Sequence, residues 1–258
     1  MNTVASRLDT TADLQRGGFW RRWLATLIDA IIVILPFQAF AAVLFAITAG
    51  TVQMESGFYR YCAATTTLPQ SLAPPPPRDS NFARVCRTSF FGAPTGVILI
   101  VGRTVRDGNV TTTVSQGYML DKGGRPIDGI NIDSIVSLAF LIYLVGMVWK
   151  SGKTVGARTV GVRVIDTANP NALEVSLRKV IIRYLAMVIG VVPIFAALIY
   201  QYVTTGGTAD AIFTASFFIW MMCTGAVAVL WLVVLIVQVA RKRDPVYDRV
   251  AGTAVVRD

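Results

Sequence analysis

Apolar residues gather into four long runs, around residues 24–49, 130–149, 181–203 and 211–240, with few charges inside them. At about 1.5 Å per residue each run is long enough as a helix to cross roughly 30 Å of hydrocarbon, so the pattern predicts four transmembrane helices. The segment between the first two runs, residues 50–129, is polar on average and holds two β-favouring stretches, Val97 to Val101 and Val110 to Val114. Turn chemistry at Arg106-Asp107-Gly108-Asn109 joins them into a predicted hairpin, with a third strand near Tyr118-Met119-Leu120 and a turn at Gly123-Gly124. Val160, Val162 and Val164 alternate with polar or small neighbours and predict a short strand or extended segment. Val250 and Ala254-Val255-Val256 are apolar enough to dock beside it as a second strand. The fold class read from this pattern is an all-α integral membrane protein: four transmembrane helices, with a small extracytoplasmic loop domain, open to a β-rich reading, between helices 1 and 2.

In domain terms, residues 1–18 form a flexible cytoplasmic tail and residues 19–256 a membrane domain into which residues 50–129 are inserted. Pro36 and Pro193 fall inside the first and third runs, where a missing backbone donor bends a helix. Pro74 to Pro77 form a short polyproline strut in the insertion.

Composition agrees with a bilayer as solvent, since 54% of residues are hydrophobic and 15% charged. The net charge of +9 changes the picture through its placement. Basic residues number 4 in residues 1–23, 7 in 149–183 and 5 in 240–258, while 203–210 has none. Lys and Arg near helix ends resist translocation, so the three basic segments and both termini are read as cytoplasmic. The basic inner face then favours anionic inner-leaflet lipid as a partner, and nucleic acid is excluded from the reading.

The chain has no histidine, which removes His-ligated haem, His-based metal sites and His general acid/base catalysis. No cofactor and no metal site is read from the sequence. Cys62 and Cys86 both lie in the insertion and admit two readings, a disulfide closing a loop of about 25 residues or a pair of free thiols. Cys223 reads as a small core residue of the fourth run.

Asp29 is the most informative single residue, because an acid within hydrocarbon costs about 2.5–3.5 kcal/mol on insertion scales and persists for a partner or a pathway. Arg22 stands seven residues before it, on the same helix face and about 10 Å away along the axis. Two readings of Asp29 stand side by side: a hydrogen-bonded anchor between helices, and an ion or proton site. Asp133 and Asp210 sit near the outer ends of runs, and Gln38 and Gln201 are further polar groups in them. Gly152-Lys153-Thr154 looks like the end of a phosphate-binding loop, but Met147 stands where that loop needs its first glycine, and an apolar run precedes it instead of a parallel strand. Asp248, on the same membrane face as Arg22, has the charge to hold the C-terminal segment against the first helix.

Phe19-Trp20-Arg21-Arg22-Trp23-Leu24-Ala25-Thr26-Leu27-Ile28-Asp29 resembles the opening motif of the RDD family of bacterial and archaeal membrane proteins, named for an arginine and two aspartates. The stretch Gly152-Lys153-Thr154-Val155-Gly156-Ala157-Arg158 through Gly161-Val162-Arg163-Val164 resembles the family's central motif. Asp248-Arg249-Val250-Ala251-Gly252-Thr253 resembles its closing motif. The resemblance makes Arg22 the arginine and Asp29 and Asp248 the two aspartates, and gives structural or functional weight to Gly152, Thr154, Gly156, Arg158, Gly161, Gly252 and Thr253. It covers residues 19–49 and 130–256, finds no counterpart for the insertion, and implies a transport role, with cation/proton exchange in some members.

Two functions therefore compete. One is transport of a small cation or proton through a site that includes Asp29. The alternative is a non-catalytic membrane scaffold, or accessory subunit of a larger complex, in which the same charged residues fix helix geometry. Either suits a homo-oligomer or larger membrane assembly in the bacterial inner membrane. With no histidine, metal cluster or credible nucleophile, the chain is not read as an enzyme.

Overall fold

A computed structural model describes residues 15–69, 71–108, 110–205 and 215–258. Most of the expected N-terminal tail, Asn109 of the expected turn, and Asp210 lie outside the described residues. The elements run α1 (Phe19–Ile47), β1 (Val52–Gln53), β2 (Tyr59–Ala64), β3 (Phe82–Phe90), β4 (Ala93–Asp107), β5 (Val110–Met119), β6 (Ile130–Asn131), α2 (Asp133–Ser151), α3 (Val155–Thr159), β7 (Val162–Asp166), α4 (Leu177–Val188), α5 (Val192–Thr205), α6 (Ala215–Ala240), α7 (Val246–Ala251) and β8 (Thr253–Arg257). A single 3₁₀ turn, Ile189–Val191, joins α4 to α5.

Among the described residues, four helical segments are long and apolar enough to cross a membrane: Phe19–Ile47, Asp133–Ser151, Leu177–Thr204 and Ser216–Ala240. They turn large apolar side chains outward along most of their length, as Trp220, Met222, Leu230 and Leu232 do on α6. Such surface is tolerable in lipid and not in water, and it fits a multi-pass membrane protein. Cys223 is exposed on α6, not part of a core as its size and burial preference suggest. Pro36 lies inside the continuous helix α1, whereas the third segment breaks into the 3₁₀ turn just before Pro193. Gly190 in that turn packs against the Trp231 ring.

The all-α fold class is overturned by the strands. Residues 32–140 form one compact unit built on a four-stranded antiparallel sheet of order β2-β3-β4-β5, with β1 and β6 as a separate parallel pair. The β4–β5 hairpin keeps a regular register from Ile98 opposite Met119 to Asp107 opposite Val110. Tyr118 and Met119, read as a third strand, are the far end of β5. Strand β4 is 15 residues long because β-branched residues continue past Val101 through Thr104 and Val105. β2 and β3 were hidden because Arg, Ser and Thr interrupt their apolar alternation. Cys62 and Cys86 stand directly opposite in these two strands and are joined in a disulfide.

The core of this unit comes from Val97, Leu99 and Val101 on one face of β4, with Tyr118, Leu120 and Phe45 of α1. Alternation places the three β4 residues together. Gln53 is fully buried at its edge, donating to the carbonyls of Gly50 (2.8 Å) and Leu120 (2.7 Å) and accepting from the Val97 N–H (2.7 Å). Every polar atom of that amide is matched, which is the condition for burying it.

Among the described residues, the second unit comprises 15–31, 141–205 and 215–258. Here too strand appears, because β7 and β8 pair antiparallel from Val162 opposite Arg257 to Asp166 opposite Thr253. Ile165, Ala254 and Val256 pack on one face of this ribbon, and Val162 and Val255 meet Ala25 and Ala157 on the other. The ribbon thereby holds α3 and the start of α1 to the C-terminal segment.

Candidate functional site

The 152–161 segment is shaped by its three glycines. Gly152 ends α2 with φ of +63°, and a Cβ there would stand 2.6 Å from the Val164 carbonyl oxygen, so the chain can reverse tightly onto β7 only with glycine. Thr154 then caps α3: its backbone is extended and its hydroxyl accepts from the Ala157 N–H at 3.1 Å. Gly156 lets the first turn of α3 lie directly against α1 at Ala25.

Asp29 is 2% exposed and sits where these pieces meet. Its Oδ1 accepts from the Tyr143 hydroxyl (2.7 Å) and the Gly156 N–H (2.7 Å), and its Oδ2 accepts from the Thr154 hydroxyl (2.5 Å). Tyr143 in turn accepts from the Val155 N–H at 3.1 Å. One carboxylate therefore binds α1 to α2, to the cap residue and to the first turn of α3 through neutral donors. Hydrogen bonds to the charged form are what a buried carboxylate needs in place of water. Asp29 and Arg22 share the face of α1 without pairing; the two charges serve different partners.

Arg22 belongs to a second cluster. Asp248, on α7, is completely buried, and its Oδ2 accepts from Arg22 Nη1 at 2.9 Å. Its Oδ1 is ion-paired with Arg183 and accepts from the Thr253 hydroxyl at 3.0 Å. Arg22 also donates to the Gly17 carbonyl (3.0 Å), and the Arg183 guanidinium stacks over the Tyr247 ring, 5.2 Å from its centroid. Two guanidiniums thus face one carboxylate, and the cluster keeps a surplus positive charge.

The sequence points to Arg22, Asp29 and Asp248, but it shows Arg183 only as one of the basic residues flanking the third run. The signal was there: Arg183 lies one turn beyond Arg178 and Lys179, with Ile181, Ile182 and Tyr184 around it. An arginine that deep needs a carboxylate partner. Tyr143 was missed too, since a tyrosine in an apolar run carries no pattern of its own.

The remaining motif residues serve backbone geometry. Gly161 carries the turn from α3 into β7, and Gly252 closes α7 in the left-handed conformation before Thr253 opens β8. Arg158 is exposed and donates to the Ser151 hydroxyl at 3.2 Å. Beside them Lys179 pairs with Asp166 at 2.5 Å. Burial opposes ionisation of Asp166, but that bond, the Ala168 N–H and the Lys179 charge outweigh it and lower the Asp166 pKa. At Asp244, paired with Arg16 at 2.9 Å, burial prevails and pushes the carboxyl up.

Between the two clusters is a small cavity of about 140 Å³, lined by Asp29, Thr154, Arg22, Arg183, Tyr184 and Tyr247 among others. It has room for a few water molecules, and its mostly apolar lining includes the acidic Asp29 and the basic Arg22, Arg163 and Arg183.

The model of the RDD family matches residues 129–252, a little under half of the chain. The match takes in the glycine-rich turn, Arg183 and Asp248, and it begins after Arg22 and Asp29. No curated protein and no solved structure matches the chain.

Proposed function

Starting from an RDD-family region at residues 129–252, we propose that this multi-pass membrane protein is a non-catalytic scaffold or accessory subunit, in which Asp29 and Asp248 act as internal anchors. The observation that carries this reading is the Asp29 carboxylate, held by three neutral donors from α2, the Thr154 cap and α3. A titrating transport site exchanges its ligands; this carboxylate uses its acceptor sites to join segments of its own chain. Arg22 and Arg183, which line the same cavity, add positive potential that opposes entry of a cation.

The placement of Lys and Arg supports both termini in the cytoplasm and the paired strands β7 and β8 at the inner face of a bacterial plasma membrane. The disulfide-linked sheet then stands on the outside, in an oxidising compartment, as the part of the scaffold presented to partners.

The competing reading is cation or proton transport through Asp29, and the cavity beside that residue favours it. Proton and cation flux in proteoliposomes, under an imposed pH gradient with Na⁺ or K⁺, separates the two for wild type and Asp29→Asn. The scaffold reading expects no flux from folded wild-type protein and a lower unfolding temperature for the variant. Flux in the wild type that vanishes in a folded Asp29→Asn protein overturns it and establishes transport.

A further inference from the structure

Phe58 and Phe91 are among the most outward-facing apolar residues of the chain, 67% and 78% exposed, and they share one end of the four-stranded sheet. Phe58 immediately precedes β2, and Phe91 forms the tight turn between β3 and β4 with Gly92. Their rings stack with centroids 5.5 Å apart, and Phe90 packs edge-on against Phe91 at 4.7 Å. The opposite end of the β4–β5 hairpin is polar, with Arg106, Asp107 and Gly108. Besides the buried face of β4, the sheet thus has an exposed aromatic end and a polar end along its strands.

Its aromatic end is fixed at a definable depth. Helix α2 has 19 residues and so spans roughly 28 Å, barely the hydrocarbon thickness, which puts its first residue, Asp133, at the bilayer boundary. The Asp133 carboxylate accepts from the N–H groups of Glu55 (3.1 Å) and Ser56 (3.2 Å). Gln38 lies nine residues before the end of α1, inside its apolar stretch, and grips the same loop from the other side. It donates to the Ser56 carbonyl (2.8 Å) and accepts from the Phe58 N–H (3.1 Å). Irregular backbone survives at membrane depth only where protein groups satisfy it, and loop 55–58 meets that condition through two side chains of the membrane-crossing helices.

From depth, satisfaction and exposure together, we infer that Phe58, Phe90 and Phe91 form an aromatic wedge seated in the lipid leaflet at the Asp133 end of α2. The occupant of this surface is the boundary between acyl chains and headgroups, where aromatic rings concentrate. Arg60, two residues along β2 and about 7 Å further out, is then level with lipid phosphate. The inference is independent of whether Asp29 anchors or transports.

The test uses the full chain with Cys223→Ser and the Cys62–Cys86 disulfide intact. Single cysteines from Phe91→Cys and Phe58→Cys, and from Thr112→Cys on the polar half of the hairpin, are spin-labelled and reconstituted in phosphatidylcholine vesicles. Both phenylalanines are exposed, so folding does not depend on them. The wedge predicts that labels at 58 and 91 collide several-fold more with oxygen than with a water-soluble nickel complex, and that the label at 112 shows the reverse. Nickel contact at 91 equal to that at 112 overturns the inference. So does a label at 91 screened from both reagents and broadened by a second label, which would put another copy of the chain on this surface.

Discussion

A methyl group on Gly156 would stand 2.1 Å from the carbonyl oxygen of Ala25 and 3.0 Å from the Asp29 carboxyl carbon. Short helix α3 can donate its Gly156 N–H to Asp29 only because nothing projects from that Cα. The Gly156→Ala change is therefore expected to part α3 from α1 and break the Asp29 bonds with it. Overpacking of this kind costs about 1–3 kcal/mol, and here the obstacle is backbone, so the upper end is expected. Thermal unfolding in detergent reads the loss. Gly146→Ala is the control: no neighbouring atom lies within 4 Å of a Cβ there, and helix propensity alone should leave it neutral or slightly stabilised.

The Asp248 cluster predicts an asymmetry. Asp248→Ala leaves the buried Arg183 and the part-buried Arg22 beside each other without their carboxylate, and breaking a buried pair in this way costs about 3–5 kcal/mol. Arg22→Ala leaves one arginine against one aspartate, a balanced pair, and should be the milder change. Unfolding midpoints of the two single variants and the double variant give the order directly. An equal loss in both single variants would mean that the surplus charge has no energetic role.

Asp166 contributes to the acid sensitivity of the β7–β8 ribbon. Its native pKa is lowered, so the stabilisation from its charged form is fully present above the unfolded value near 3.9 and is lost as pH falls through the lower native value. The unfolding temperature should decline through that acidic window, and Asp166→Asn should lose that part of the slope. A variant with the wild-type pH profile would assign the acid response to another group.

Much of the helical frame was legible, because a run such as 211–240 has no soluble explanation and Asp29 stands out against its apolar neighbours. The sheet was legible only where β-branched residues cluster, at Val97 to Val101 and Val110 to Val114. Tyr59–Ala64 and Phe82–Phe90 are hidden in the sequence because Arg60, Arg84, Arg87 and Thr88 break the apolar rhythm, and because β2 meets β3 only across the long 65–81 connection. Thr154 stands out in the sequence as part of the segment resembling the family's central motif, and in the fold it caps α3 and holds Asp29. Residue identity told that it mattered; the direction of its hydroxyl, set by tertiary packing, told why.

The Arg22–Asp248 pair joins residues 226 positions apart. At synthesis rates of about 5–20 residues per second, Arg22 is added to the chain roughly 10–45 s before its carboxylate exists. Through that interval Arg22 lacks the carboxylate that it pairs with in the finished fold. The carboxylate that draws Arg22 and Arg183 together arrives after all four membrane-crossing segments have been made. Asp248 and the strand behind it thus act as the final fastening of the protein's biogenesis, and truncation just before them would yield a chain that inserts but never closes.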